Sequence, residues 1–338
     1  MTMKHQLFFL LVFNLLAISS FAQSLNNTKV DGYRAIWFEL NQKYEYGNKY
    51  SGALGTYTAK HKPLAIYAPA VDQTFFVYGG TKSADSRYLL CMIGVYDHKS
   101  NIVSRPTVVF DKKGVDDPHD NPSLLIDNEG YIWVFVSGRG TNRPGFKYKS
   151  TKPYHIDEFV QVTQEEMTYP QPRMVQQGFF NFFTKYTGKR QLYFESSQDG
   201  TIWTPDQKLA AIVETGATHS GHYQTSTTFQ DSIIGTFFNR HPNGNVDQRT
   251  DLYYVQSTDF GATWTTAGGQ VLQLPLTEVN SPARAVDYAT LGKNIYLKDI
   301  QYDKNGYPIC LYIRSNGHEP GSKSVPYEWC ITKWNGIA

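Results

Sequence analysis

Short apolar stretches of strand length recur along this chain, each with polar residues before it and a turn after it. SLLI (123–126) and YIWVFV (131–136) flank the polar, glycine-terminated turn DNEG, and this pattern predicts a β-hairpin. The same plan of polar start, strand, turn and second strand appears five times, beginning at His61, His119, Tyr169, His222 and Lys298. No amphipathic helix longer than about two turns is visible between these segments.

The five hairpins follow one another at intervals of roughly 50 residues or more, and further short strands such as LLCMIGVYD, RQLYFESS and TDLYYVQS lie between them. Four short strands in each period form the blade of a β-propeller, so the sequence predicts an all-β fold. Residues 23–338 are expected to form one propeller domain. The visible periods leave open a five- or six-bladed ring, or a seven-bladed ring whose last blades are missing from this sequence.

Two turns carry a second repeat marker. STDFGATW (257–264) has the spacing Ser-x-Asp-x-Gly-x-x-Trp, and SQDGTIW (197–203) is one residue shorter. Both resemble the Asp-box of sialidase-like propellers, in which the Asp ties the turn between a blade's outer strands and the Trp packs into the blade. We interpret these residues as markers of the fold and not as catalytic residues.

The first residues predict export from the cytoplasm. Lys4 and His5 precede the apolar run LFFLLVFNLLAI, and Ser20, Phe21 and Ala22 form a small-x-small cleavage signal. Residues 1–22 are therefore predicted to be a secretory signal peptide, and the mature protein is predicted to be periplasmic or secreted. No later stretch is long and apolar enough to predict a membrane span.

Composition narrows the possible functions. The chain has 338 residues, of which 41% are hydrophobic, 18% charged and 15% aromatic, and its formal net charge is +2. This balance argues against a nucleic-acid-binding protein, which would carry a basic excess. Cys91, Cys310 and Cys330 allow at most one internal disulfide, and no Cys/His cluster suggests a zinc site. Cys91 and Cys310 lie in apolar runs and are expected to be buried.

In a propeller the first strands of all blades line the axis and start at one mouth, and each second strand returns to that mouth. The strand starts His61, His119, Tyr169, His222 and the pair Lys298/Asp299 should therefore ring one face. Around them should lie the hairpin ends Arg139, Lys185, Arg240, His241 and Arg314, with His219 as a further rim contact. Clustered cations suit an anionic ligand, and His and Tyr beside them are able to transfer protons.

The acidic stretch before the second hairpin has a different possible use. Asp116, Asp117, Asp120 and Asn121 offer the oxygen ligands that a Ca²⁺ ion prefers, so a calcium site in the central channel is one interpretation. Turn and cap residues before a strand are the other interpretation. No cofactor is required by the sequence.

Several stretches resemble a family of secreted, seven-bladed propellers of the BNR-repeat type from polysaccharide-degrading bacteria. They are AKHKPLAIYAPAVDQTFFVYGG, VDDPHDNPSLLIDNEGYIWVFVSGRGTNRPGFKYKS, the YPQ at 169–171, FNRHPNGNVDQRTDLYYVQSTDFGATW and LYIRSNGHEPG. The chain is most similar to the group that releases L-rhamnose from L-rhamnose-α-1,4-D-glucuronate caps of arabinogalactan, whose members are described as α-L-rhamnosidases and as rhamnose-glucuronate lyases. It resembles the propeller ulvan lyases more distantly. The resemblance implies seven blades and a C-terminally truncated sequence.

The resemblance also implies roles for individual residues. A single His at the start of the first inner strand, here His61, is the key catalytic residue in the rhamnose-releasing group. The ulvan lyases use a His at the position of His119 and a Tyr in a motif like that of Tyr169. They also use a second His and an Arg where this chain has Arg139 and Lys185. We therefore take as catalytic candidates His61, His119 and Tyr169, and as substrate-binding candidates Asn121, Arg139, Lys185, His222, Arg240, His241 and Arg314.

We expect a carbohydrate-active enzyme that releases terminal L-rhamnose from such caps, by β-elimination or by hydrolysis of the same linkage. No pair of carboxylates is placed as in ordinary glycoside hydrolases, and this favours elimination. A non-catalytic glycan-binding propeller is the alternative from another class. A sialidase is a third, although YRAIW (33–37) is a poor substitute for the Arg-Ile-Pro-like motif of that class. The expected partner is an acidic plant or algal polysaccharide, with no nucleic acid and no membrane, and the chain is expected to be a monomer.

Overall fold

Five antiparallel β-sheets follow one another along the part of the chain that the computed structural model describes, which is residues 61–80, 89–115, 117–186, 190–319 and 321–337. The first sheet contains β1 (Ala65–Ala68), β2 (Gln73–Gly80), β3 (Leu90–Asp97), β4 (Ile102–Val103) and β5 (Thr107–Asp111). The second contains β6 (Pro122–Ile126), β7 (Ile132–Val136), β8 (Gly145–Ser150) and β9 (Phe159–Glu165). The third contains β10 (Thr168–Val175), β11 (Gly178–Lys185), β12 (Gln191–Ser197) and β13 (Gln207–Ala210).

The fourth sheet contains β14 (His222–Phe229), β15 (Ile233–Arg240), β16 (Thr250–Ser257), β17 (Trp264–Thr265), β18 (Val271–Leu272) and β19 (Arg284–Val286). The fifth contains β20 (Asn294–Tyr302), β21 (Pro308–Ser315) and β22 (Glu328–Lys333). Short 3-10 turns lie at Pro118–Asp120, Pro242–Gly244 and Gly321–Ser324. No helix in the described residues is long and apolar enough to cross a membrane.

The first strands of successive sheets are neighbours: β1 contacts β6, β6 contacts β10, β10 contacts β14 and β14 contacts β20. The second strand of each hairpin returns to the level where the first begins, as when His222 pairs with Arg240 and Thr168 pairs with Thr184. This is the arrangement of propeller blades around an axis. The all-β prediction is confirmed and all five predicted hairpins form, while the total number of blades and the truncation stay predictions.

The apolar core lies between consecutive sheets. Side chains alternate across a strand, so neighbouring residues contact opposite neighbours. Val134 packs with the first sheet and Trp133 with the third, and Phe238 and Phe237 do the same on either side of the fourth. Because both faces of these second strands are buried, they read as nearly continuous apolar runs in the sequence.

The fifth hairpin begins earlier than the sequence predicted. Its first strand starts at Asn294, and Ile295 pairs with Arg314 as His222 pairs with Arg240 in the fourth sheet. Lys298 therefore lies inside the strand, at a register shift between Leu297 and Asp299, and not at its start. The error arose because the apolar stretch NIYL was taken as part of the preceding connection.

The remaining structural expectations have different outcomes. Cys91 and Cys310 are buried, as predicted, and no disulfide forms within the described residues. The predicted signal peptide, residues 1–22, lies outside the described residues.

Both Asp-box turns are held by their own side chains. In the second, the Gly261 N–H donates to the Ser257 hydroxyl at 2.9 Å, and the Thr263 N–H donates to Asp259 Oδ1 at 2.8 Å. The Trp264 indole N–H then reaches the Gly261 carbonyl at 3.2 Å, and its ring is buried in the core. These contacts assign the motif a structural role.

Replacing Asp259 with Ala should lower the free energy of unfolding by about 1 kcal/mol, because backbone and hydroxyl donors of Thr263 lose a charged acceptor that is partly screened by solvent. Burial slightly opposes ionisation, but the hydrogen bonds from Thr263 and Ser257 outweigh it and lower the pKa of Asp259. The difference from wild type should therefore disappear as the pH falls through that lowered pKa. Urea unfolding at several pH values measures this, with Glu278→Ala as an exposed acidic control that should change little.

Candidate functional site

Three side chains able to transfer protons meet at the starting ends of the first three sheets. The ring centroid of Tyr169 lies 5.1 Å from that of His61 and 5.5 Å from that of His119. His61 Nε2 donates to the carbonyl oxygen of His119 at 2.9 Å. We call these three residues the mouth cluster.

Serine 137, at the end of the second sheet's hairpin, connects the backbones of the mouth cluster. Its hydroxyl donates to the His119 carbonyl at 2.6 Å and accepts from the Tyr169 N–H at 3.0 Å. The His119 carbonyl thus receives hydrogen bonds from both Ser137 and His61. A buried network whose polar groups are satisfied holds side chains in one arrangement, which proton transfer requires.

Tyr169 occupies an irregular position in its strand. Its φ is 53°, in the left-handed region that a non-glycine residue rarely adopts, and the β10–β11 register shifts between Thr168 and Gln171. A bulge of this kind redirects a side chain out of the regular alternation. Gln171 anchors the strand beyond the bulge, since its side chain accepts from the Ser226 N–H at 2.7 Å and donates to the Gln224 carbonyl at 3.0 Å. The strained backbone is therefore fixed next to the two histidines.

Asp117 ties His119 to two arginines. One carboxylate oxygen accepts from the His119 N–H at 3.0 Å and from its ring Nδ1. The other accepts from Arg139 Nη1 at 2.8 Å and from Arg143 Nη2 at 2.6 Å. Burial alone would raise the pKa of Asp117, but the hydrogen bonds and charge of His119, together with Arg143, hold it well below its usual range.

Burial lowers the pKa of His119 below its ordinary value, and the neighbouring Asp117 carboxylate offsets this only in part. At neutral pH the pair is thus a carboxylate and a neutral imidazole. Because Nδ1 donates to Asp117, the lone pair of the neutral ring is on Nε2. This is the protonation state of a general base.

Aromatic rings and a buried arginine extend the mouth cluster toward the fifth sheet. Tyr223 lies 5.6 Å from Tyr169 and 4.8 Å from His241 between ring centroids. The guanidinium of Arg249 lies 4.4 Å from the centre of the Tyr223 ring and 5.2 Å from that of Tyr296. Contacts therefore run without interruption from the first sheet to the fifth.

Arg139 lies at the exposed edge of this surface. Its side chain is 42% exposed, and its guanidinium is 5.2 Å from the centre of the Tyr186 ring. The Tyr186 hydroxyl in turn donates to the Tyr169 hydroxyl at 3.3 Å. Arg139 thus combines solvent access with a direct connection to the mouth cluster.

His222 requires a correction, because the sequence placed it among the substrate-binding residues. It is fully buried, its Nδ1 donates to the Asn239 carbonyl at 3.0 Å, and its Nε2 accepts from the Ile212 N–H at 3.0 Å. Burial lowers its pKa to about 4, so the ring is neutral. Both ring nitrogens serve the fourth sheet, and its chain neighbour Tyr223 faces the mouth cluster instead.

Three predicted substrate-binding cations also have protein partners. Lys185 forms an ion pair with Asp206, and Arg314 bonds Glu328 through Nε at 2.9 Å and Nη2 at 2.8 Å. Arg240 is nearly buried between Glu214 and Asp251, with 2.6 Å from its Nε to Asp251 Oδ2. Each cation is neutralised within its own sheet or adjoining connection, so the prediction that all of them face an anionic ligand is corrected. Sequence spacing alone did not reveal the acidic partners.

The other predicted residues have mixed placements. Asp299 pairs with Lys62 at 2.5 Å, which joins the first and fifth sheets near the axis. The amide oxygen of Asn121 packs against Gly79 at the end of β2, so the amide faces the first sheet. His219 is exposed and its Nδ1 contacts the Thr218 hydroxyl at 2.6 Å. Substrate contacts by Asn121 and His241 stay predictions.

The oxygens considered for calcium are paired with cations. Asp120 is fully buried between Lys112 Nζ, at 2.8 Å, and Arg143 Nη2, at 3.1 Å. Asp117 is held by Arg139 and Arg143, as described above, and Asp116 lies outside the described residues. These ion pairs supply the positive charge that a bound cation would otherwise supply.

A model of the BNR repeat-containing family matches residues 90–337. The chain belongs to the BNR repeat-containing family. Curated relatives of this BNR-repeat protein include an ulvan lyase of family PL25 from Pseudoalteromonas sp. (strain PLSV), 24% identical over 251 residues, which is 65% of this chain and 51% of the relative. An ulvan lyase from Nonlabens ulvanivorans is 26% identical over 199 residues, 49% of this chain and 41% of the relative. The chain spans about half the length of the curated relatives it matches.

The fold of this BNR-repeat protein is that of a known polysaccharide lyase. A solved structure of a PL25 ulvan lyase superposes with a TM-score of 0.71 at 19% identity, over 90% of this chain and 73% of that protein. A second structure, of such an enzyme bound to -[GlcA(1-4)Rha3S]-, has a TM-score of 0.70 at the same identity and coverage. The BNR-repeat family and the likeness to ulvan lyases predicted from the sequence are confirmed. The closer likeness to the rhamnose-releasing group stays a prediction.

Sequence reasoning missed Tyr186, Tyr223, Arg249 and Tyr296 in this BNR-repeat protein. Tyr223 carried a usable signal, because HYQ at 222–224 places a Tyr shortly before a Gln, as YPQ does at 169–171. Arg249 carried none, since it lies in the connection before β16 and meets the two tyrosines only in the folded chain.

Proposed function

We propose that this chain is a secreted polysaccharide lyase that breaks the bond to O4 of a uronic acid by β-elimination. The observation that carries the proposal is the mouth cluster itself: two histidines and a tyrosine from three consecutive sheets, with ring centroids 5.1 and 5.5 Å apart, beside the exposed guanidinium of Arg139. The likeness to proteins named ulvan lyases supports it.

In this reaction a base removes the proton on C5 of the uronate. The electron pair left on C5 forms the C4=C5 double bond, the bond between C4 and O4 breaks, and a proton is delivered to O4 of the departing sugar. We assign proton removal to His119, whose neutral ring has its lone pair on Nε2, with His61 as the alternative base. We assign protonation of O4 to Tyr169.

The uronate carboxylate must be neutralised for its neighbouring proton to become acidic, and Arg139 is suited to this role. Lys185, Arg240 and Arg314 have acidic partners away from the mouth cluster, whereas the Asp117 oxygen that Arg139 contacts is also held by Arg143. Arg139 is therefore able to pair with a substrate carboxylate while Asp117 keeps a cation. Hydrolysis by two carboxylates has less support, since Asp117, which bonds to the mouth cluster, is committed to these arginines.

For the substrate we propose L-rhamnose α-1,4-linked to D-glucuronate at the ends of arabinogalactan-type side chains. The sequence resemblance supports this choice, and a likeness to a lyase bound to -[GlcA(1-4)Rha3S]- supports an acidic glycan that joins the same two sugars. Elimination and hydrolysis of this linkage both release rhamnose. Only elimination leaves a 4,5-unsaturated glucuronate, which absorbs ultraviolet light.

The test incubates the purified chain with gum arabic and, separately, with ulvan, and measures free rhamnose and ultraviolet absorbance together. We expect both signals to rise in parallel on gum arabic, and His61→Ala and His119→Ala each to abolish them. Rhamnose without absorbance would identify a hydrolase, and absorbance on ulvan alone would replace the proposed substrate. Binding of either glycan with no product, unchanged in both variants, would identify a glycan-binding protein and overturn the proposal.

A further inference from the structure

Asp117 contacts His119 twice and also contacts both arginines at the mouth. It accepts from the backbone N–H and the ring Nδ1 of His119 on one oxygen, and from Arg139 and Arg143 on the other. Its side chain is 17% exposed, and the His119 side chain 11%. The short distance in sequence between Asp117 and His119 and the 3-10 turn at Pro118–Asp120 bring the two side chains together.

Arg143 holds this arrangement from behind. Its Nη2 contacts Asp117 Oδ2 at 2.6 Å and Asp120 Oδ1 at 3.1 Å, and Asp120 is fixed in turn by the buried Lys112. Lys112 Nζ also donates to the Ser137 carbonyl at 3.0 Å. The carboxylate that contacts His119 is thus connected to the same serine that joins the mouth cluster's backbones.

We propose that Asp117 is a positioning residue, anchored by Arg143, that fixes His119 in the tautomer whose Nε2 faces the reaction as a base. The proposal deepens the proposed function and rests on it for its catalytic consequence. A carboxylate accepts but does not donate, so it selects the ring form with hydrogen on Nδ1. An amide in its place is able to donate to Nδ1 and to favour the opposite tautomer, as is known for the aspartate of serine proteases.

The kinetic test compares Asp117→Asn and Asp117→Glu with wild type. Asp117→Asn should lower kcat at least about 100-fold with KM changed by less than about threefold, because the base is in the wrong tautomer while the cations that bind substrate remain. Asp117→Glu, which restores a carboxylate, should recover part of that loss. Asp97→Asn, an aspartate at the turn end of the first sheet that bonds Gln73 and Ser100, is the matched control and should keep wild-type kinetics.

The pH profile separates positioning from loss of folded protein. Activity of a basic His119 is lost as the pH falls through its pKa, and the Asp117 charge raises that pKa against the lowering effects of burial and Arg139. Among the charged groups around His119, Asp120 also raises it. Asp117→Asn should therefore shift the acid limb of kcat/KM to lower pH. A variant that was only partly folded would keep the limb where it is.

A measurement independent of turnover keeps this inference distinct from the proposed function. Nitrogen-15 NMR of histidine-labelled protein, with His119 assigned by a His119→Gln variant, should show the Nδ1–H tautomer in wild type and its loss in Asp117→Asn. An Nε2–H tautomer in wild type, or Asp117→Asn with at least half of wild-type kcat and an unmoved acid limb, would overturn the inference. Absence of lyase activity with the expected tautomer would contradict only the proposed function.

Discussion

Replacing Tyr169 with phenylalanine should lower kcat for uronate elimination at least about 100-fold, because the hydroxyl that protonates the departing O4 is gone while the ring remains packed between His61 and His119. Stability should fall by no more than about 1 kcal/mol, since the Tyr186 hydroxyl loses one acceptor. The measurement is initial rate by ultraviolet absorbance at saturating glycan, with folding followed by urea denaturation.

Tyr193→Phe is the matched control for Tyr169. Tyr193 belongs to the same sheet, on β12, and its ring lies near Lys185 and Lys208 rather than near the histidines. Its variant should keep wild-type turnover. If Tyr169→Phe kept more than half of wild-type kcat, Tyr169 would not be the proton donor, and His61 would become the candidate.

Replacing Lys147 with methionine should lower the free energy of unfolding by about 3–5 kcal/mol. Lys147 Nζ is fully buried, 2.5 Å from Glu165 Oε1 and 2.9 Å from Glu195 Oε2, and it lies 3.8 Å from the centre of the Trp203 ring. Without the ammonium, two close carboxylates stay in a buried site that joins the second sheet to the third. Urea or thermal unfolding of the variant measures the loss.

The loss at Lys147 should depend on pH in a defined direction. Burial raises the pKa of Glu195, against the attraction of Lys147, and Glu165 raises it further. Removing Lys147 strengthens this effect, so the folded variant takes up protons more readily than the unfolded chain. Its destabilisation should therefore be greatest at mildly alkaline pH and shrink as the pH falls.

Two further variants test the charge argument at Lys147. Lys147→Met combined with Glu195→Gln should recover much of the lost stability, because fewer uncompensated charges remain. Lys149→Met, on the same strand, should cost about 1 kcal/mol or less, since its ammonium lies over Tyr131 and Trp133 with more access to solvent. A loss at Lys147 as small as that at Lys149 would contradict the importance of the buried ion pairs.

The repeated hairpins were predictable because strand periodicity and turn residues are local properties of the chain. Once the repeat was recognised, blade geometry correctly placed His61, His119 and Tyr169 at one mouth, without any contact being known. The same reasoning failed one residue away at His222 and three residues away at Ile295. Which of two adjacent side chains faces the axis depends on bulges and register, and a shift of one residue reverses the face.

Partners of the charged residues could not be predicted in the same way. Asp117 was read as a possible calcium ligand, and Lys185, Arg240 and Arg314 as free cations, because their sequence neighbours do not include all the groups that neutralise them. Arg143 reaches Asp117 across 26 residues, and Lys147 reaches Glu195 across 48. Such pairs form only when the sheets are assembled, so they are set by tertiary distance and burial.

By itself, the sequence determined that this chain forms a series of antiparallel hairpins with polar residues at equivalent starts, since hydrophobic alternation and turn chemistry act over a few residues. The tertiary structure decided which of those polar residues work together. The left-handed backbone at Tyr169 turns its ring toward two histidines from other sheets, and Asp117 contacts one of them with an arginine behind it. Burial then sets the protonation states, because the energy of a charge depends on the surrounding dielectric and partners, which local sequence does not specify.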